Sequence, residues 1–163
     1  MVRIGIAGFG FMGQFHFRAC RQLKNARVVA LFDPDHVHHE LAHDWFAEHR
    51  GDGWATCPIT ENGFVRVLAN PAYHAAVTRP SDLVARLRRF CGSGHHQFWP
   101  DQVSLRDPAL FDPAFAAGFR QIIDVYLLGL ARMKGGCLAT FDGAIPLKAV
   151  RGTGRDSLVV IAP

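Results

Sequence analysis

The chain has 163 residues, the size of one ordinary domain. Its 49% hydrophobic and 20% charged residues exclude a disordered chain, and no apolar run approaches the ~20 residues of a membrane helix. The net charge is +4, carried by fifteen arginines and three lysines against 14 acids. Such a balance favours phosphate-bearing partners, because guanidinium grips phosphate through two donors at once. The four cysteines are scattered without a C-x-x-C pair, so neither a zinc knuckle nor a disulfide framework is expected. No signal peptide is evident at Val2–Ala7, and the compartment expected is the reducing cytoplasm.

In chain order, residues 2–7 read as a short apolar strand, followed by the glycine-rich turn Gly8-Phe9-Gly10-Phe11-Met12-Gly13. A helix to about Leu23 and a second buried strand over Arg27–Phe32 follow. A helix over about 37–49 carries Leu41, Trp45 and Phe46 on its apolar side, with Asp35 as its cap. Gly51-Asp52-Gly53 is a turn before a third strand, Trp54–Ile59. Thr60 is expected to cap the helix bearing Phe64, Val67 and Leu68. Ser81 caps another, with Leu83, Leu87 and Phe90 inside and Arg86, Arg88 and Arg89 outside. Residues 94–118 read as irregular, 119–134 as a helix stopped by Gly135-Gly136, and Cys137–Phe141 and Leu158–Ile161 as the last strands. Alternating strands and helices predict an α/β fold, a mostly parallel sheet flanked by helices, with a Rossmann-type βαβ start over residues 1–35 of a single domain spanning 1–163.

Two chemistries compete. Gly8, Gly10 and Gly13 form G-x-G-x-x-G after a strand, and Asp33 stands at the tip of the next one. Such a unit brings pyrophosphate to a helix N-terminus and holds a ribose hydroxyl through the acid. Residues 2–35 thereby resemble the N-terminal segment of the Gfo/Idh/MocA oxidoreductases, which implies NAD(P) as cofactor. No Glu-Lys-Pro motif of that family follows, and the remaining residues are too few for its second domain.

The second chemistry rests on acids. Glu61 follows the strand Trp54–Ile59, Asp142 follows Cys137–Phe141, and Asp124 interrupts the apolar run Ile122–Leu128. Ligands of α/β sheets bind beyond the carboxyl ends of strands, and a carboxylate inside an apolar run must be paired, neutralised or bound to a cation. An all-oxygen set of this kind suits Mg²⁺ or Mn²⁺. Each acid also has a plainer role: a helix first turn for Glu61, a turn before Gly143 for Asp142. The histidines His36, His38, His39 and His43 read as a solvated helix face, and His95-His96 as part of an aromatic-rich loop.

The segments Ala30–His36, Trp54–Phe64, Phe98–Asp101, Asp124–Leu128 and Ala139–Asp142 occur in an order and spacing that resembles the PIN-domain ribonucleases of the VapC toxin type, from about residue 29 onward. The resemblance implies a PIN-like fold and a metal-dependent endoribonuclease with Glu61, Asp124 and Asp142 as catalytic and metal-binding residues. It further implies RNA as substrate, a cognate antitoxin as partner, and is compatible with a homodimer. The family opens with a strand ending in an aspartate roughly nine residues before Asp33; here that stretch falls near Lys24 and Asn25 and holds no acid. Asp33 is the expected substitute as a fourth metal ligand, from the tip of its strand. The readings set against this one are an NAD(P)-binding oxidoreductase fragment and a catalytically dead homologue that still binds the antitoxin.

Overall fold

The computed structural model of the chain describes residues 4–6, 31–32, 36–73, 78–115 and 118–162. Gly8, Gly10, Gly13 and Asp33, on which the dinucleotide reading and the fourth metal ligand depend, lie outside the described residues, as does the expected helix cap Asp35.

Five strands form one sheet: β1 (Ile4–Ile6), β2 (Trp54–Thr56), β3 (His96–Phe98), β4 (Cys137–Thr140) and β5 (Leu158–Val160). Their order is β3-β2-β1-β4-β5, and every pairing is parallel. Ile4 lies opposite Trp54 on one side and Cys137 on the other, so the first segment of the chain is the central strand. After β1 the sequence continues Ala7-Gly8-Phe9-Gly10 without an acid. The chain moves outward from β1 to β3, then returns to lay β4 on the other side of β1. The direction of winding therefore reverses between β1 and β4, and such a reversal opens a crevice at the carboxyl ends of the strands.

The period-two alternation of strands divides the core between two faces. Trp54, Cys137 and Ala139 pack with Phe46, Phe64, Val67, Leu83 and Leu87. Ala55 and Leu138 pack with Val125, Leu127, Leu128 and Leu130 on the opposite side. The first face is covered by α1 (His39–His49), α2 (Pro58–Leu68) and α3 (Pro80–Cys91), the second by α4 (Ile122–Met133). Leucines and valines at helical spacing explain each layer; in α3, Leu83 and Leu87 are buried while Arg86, Arg88 and Arg89 are exposed, as their spacing predicts. On the second face Gly129 of α4 lets the Phe111 ring lie directly against the helix backbone.

Five expectations are corrected. Leu31 and Phe32, read as the end of a second strand, are helical; Phe32 packs edge-on against Phe64 and Phe90, at 5.0 and 4.8 Å between centroids. A short apolar run suits a buried helix as well as a strand, and here the helix packing wins. The strand Trp54–Ile59 stops at Thr56, because Pro58 starts α2 from its first position, where a missing N–H costs nothing. Cys57, not Thr60, is the N-cap, and Thr60 Oγ1 accepts the Cys57 N–H at 2.9 Å. Likewise Arg79 precedes α3 in extended backbone, so Ser81 lies inside the helix behind Pro80. Finally, His96–Phe98 is a strand where irregular chain was expected.

Candidate functional site

Thr56 ends β2, Cys57 turns the chain, and Glu61 sits one turn into α2, with its N–H on the Cys57 carbonyl at 3.0 Å. This tight strand-to-helix connection folds the Glu61 side chain back over the strand end. The Thr56 hydroxyl, in a residue only 2% exposed, donates to Glu61 Oε1 at 2.6 Å. Thr56 Oγ1 also lies 2.9 Å from His96 Nε2. A hydroxyl has one hydrogen to give. With it committed to Glu61, His96 Nε2–H is the donor to Thr56, and the order is imidazole to hydroxyl to carboxylate.

His96 reaches this position because β3 pairs with β2 in a register that sets His96 opposite Trp54, two residues before Thr56 on the same face. Its ring lies 4.4 Å from the Trp54 ring. Burial lowers the His96 pKa, with the Glu61 charge opposing, which favours the neutral imidazole. Cys91, the last residue of α3, completes the group. Burial pushes its thiol up to about 11, and the Glu61 charge adds to the shift. One donor atom from each of Glu61, Cys91 and His96 lies within 4.8 Å of the others. All three residues are partly exposed, so the group is reachable from solvent.

Asp124 and Asp142 do not belong to that trio. Asp142 follows β4 by two residues: its N–H is held by Thr140 Oγ1 at 2.6 Å and its Oδ1 accepts the Ala144 N–H at 2.8 Å. One carboxylate oxygen thus closes the turn after the strand. Asp124 lies in the first turn of α4 and is 2% exposed. The positive end of the helix dipole favours a negative charge there. Gly135 and Gly136 connect the end of α4 directly to the start of β4, so the opposite end of α4 belongs to the carboxyl edge of the sheet. A hydrogen bond from Gln121 Nε2 to the Ala144 carbonyl, 3.0 Å, ties the start of α4 to the Asp142 turn. Glu61, Asp124 and Asp142 therefore all sit on segments at the same edge, on either side of the reversal between β1 and β4.

Other residues singled out by the sequence have structural partners. His38 stacks on Phe141 at 4.5 Å, and His39 and His43 face each other at 5.9 Å on α1. The Arg86 guanidinium lies 4.8 Å from the centroid of the Phe32 ring. Among the described residues no helix is long and apolar enough to cross a membrane, and Cys57, Cys91 and Cys137 are free thiols.

A five-stranded parallel sheet with helices on both faces is the α/β architecture of a PIN-like domain. No family model matches the chain. It is 39% identical over 136 residues to ribonuclease VapC44 of Mycobacterium tuberculosis, covering 82% of this chain and 94% of the relative. Ribonuclease VapC39 of the same organism is 38% identical over 125 residues, 77% of this chain and 90% of the relative. A third relative, ribonuclease VapC38, is 41% identical over 118 residues, 72% and 82% of the two chains. The chain belongs to the VapC ribonuclease family.

Proposed function

We propose that the chain is a Mg²⁺-dependent endoribonuclease, the toxin of a cytoplasmic toxin–antitoxin pair, weakened by the loss of the first family aspartate. The observation that carries this reading is the similarity to VapC ribonucleases across 72–82% of the chain. It is supported by the three acids on segments that meet at the carboxyl edge of the sheet, where ligands of such folds bind.

Glu61, Asp124 and Asp142 are the proposed metal ligands, with Asp33 as a fourth, and their oxygen donors suit a hard divalent ion. The ion, when bound, supplies Lewis-acid stabilisation of phosphoryl charge and a water of lowered pKa. The chain contributes the positioning. Thr56 holds one Glu61 oxygen, the Thr140–Ala144 turn holds Asp142, and the buried first turn of α4 holds Asp124. Exposed arginines of α3 offer contacts to the RNA backbone, which are independent of base sequence. A cognate antitoxin that covers this edge, and a homodimer, complete the proposal.

RNA cleavage by the purified chain tests it. Cleavage in MgCl₂ that EDTA abolishes is expected, with a loss of at least about a hundredfold in Asp124→Asn, as for removal of a principal electrostatic group. Cleavage that survives EDTA, or Asp124→Asn and Asp142→Asn variants as active as the parent, would refute it.

A further inference from the structure

The geometry points to a second metal site, for Zn²⁺ or a similar borderline-soft ion, formed by Glu61, Cys91 and His96. The three donor atoms are a carboxylate oxygen, a sulfur and an imidazole nitrogen, all within 4.8 Å of one another. Magnesium selects oxygen ligands, whereas sulfur and nitrogen select zinc and its neighbours. Zinc bonds of about 2.0–2.3 Å in a tetrahedron place ligand atoms about 3.3–3.6 Å apart, so the trio closes by roughly 1 Å on binding. Glu61 and Cys91 are partly exposed, which leaves their side chains space to move toward that closure.

The scaffold is suited to such a site. Cys91 and His96 flank a four-residue step from the end of α3, through Gly94 at φ +76°, to the start of β3. The step is anchored on β2 by the Trp54 N–H on the His95 carbonyl at 3.1 Å and by the Thr56–His96 contact at 2.9 Å. Glu61 is held from the other side by Thr56 at 2.6 Å. Thr56 therefore orients two ligands from behind, as outer-shell groups do in metal sites. Three protein ligands leave a fourth position for water.

This site shares Glu61 with the proposed magnesium set. Resting on the nuclease reading, the consequence is inhibition: an ion on Glu61, Cys91 and His96 withdraws a ligand from the catalytic edge.

Titration of the full chain with Co²⁺, a coloured substitute for zinc, is the test. One equivalent is expected to bind with a thiolate-to-cobalt charge-transfer band, and unlabelled Zn²⁺ is expected to erase it. Cys91→Ser should remove the band, while His96→Gln and Glu61→Gln should each weaken binding by about tenfold or more, the range seen even for outer-shell losses. Circular dichroism of each variant establishes that it is folded. In MgCl₂, stoichiometric Zn²⁺ should suppress RNA cleavage by the parent and not by Cys91→Ser. A missing band, a band that persists in Cys91→Ser, or undiminished binding by His96→Gln and Glu61→Gln would overturn the site and leave a hydrogen-bonded cluster only. A parent chain that cleaves no RNA would refute the nuclease reading, while the cobalt band decides the metal site by itself.

Discussion

Thr56→Val removes one oxygen and keeps nearly the same volume, which makes it a direct probe of the Glu61 environment. The hydroxyl is buried, and it bridges Glu61 at 2.6 Å and His96 at 2.9 Å. A hydrogen bond to a charged group contributes about 1.5–3 kcal/mol and a neutral one about 0.5–1.5 kcal/mol. The valine methyl returns up to about 0.8 kcal/mol of burial. Glu61 is partly exposed, so water takes over some of the lost contact. The net loss should be about 1.5–2.5 kcal/mol. In a chain of 163 residues each kcal/mol moves the midpoint by about 2–4 °C, which gives a fall of about 3–10 °C. Urea unfolding measures the change, with an unchanged slope marking a pure stability effect. A cycle with Glu61→Gln should show coupling of at least about 0.5 kcal/mol. A midpoint that stays within about 1 °C of the parent, or strictly additive single and double variants, would refute the bridge.

Two further outcomes concern the packing. A Cβ on Gly129 would meet the Phe111 ring at 2.3 and 2.4 Å, so Gly129→Ala should destabilise by about 1–3 kcal/mol although alanine favours a helix by about 1 kcal/mol; urea unfolding reads the sign, and a stabilised Gly129→Ala would contradict the contact. The Cys137 thiol is raised above its ordinary 9.0 by burial, so the folded state holds its proton longer than the unfolded chain. Its contribution is fully present below about pH 9 and lost as pH rises past that value. The alkaline decline in unfolding free energy should therefore be shallower in Cys137→Ala, and equal slopes in the two proteins would count against the shift.

Much of the fold is legible because the apolar pattern is local. Leu83 and Leu87 in α3, the run Val125–Leu130 in α4 and the strand Cys137–Thr140 announce themselves by period and by the glycines that follow. What escapes is what tertiary contacts decide. His96–Phe98 has no alternation of its own and becomes a strand by pairing with β2 at the sheet edge. Leu31 and Phe32 belong to an apolar run that fits a strand, yet Phe32 finds Phe64 and Phe90 only as part of a helix. Pro58 is the exception, since a proline two residues past the end of β2 signals the helix start, ahead of the cap that the sequence pattern places at Thr60.

The candidate site divides along the same line. The positions of Glu61 and Asp142 after strands, and of Asp124 inside an apolar run, can be read along the chain, because strand ends and buried charges have one-dimensional signatures. Cys91 and His96 have a faint one, a cysteine and a histidine separated by four residues across a glycine-containing turn, which does not fit the C-x-x-C pattern. Their relation to Glu61 runs through the β2–β3 register and through Thr56, whose position reads simply as an inward-facing strand residue. The direction of the Glu61 carboxylate decides whether it joins oxygen donors at the sheet edge or sulfur and nitrogen donors over β2. Thr56 holds the carboxylate on the β2 side. If both proposed sites exist, release of that one hydrogen bond separates the two ligand sets, and Thr56 is the residue through which a choice between a hard and a softer ion would pass.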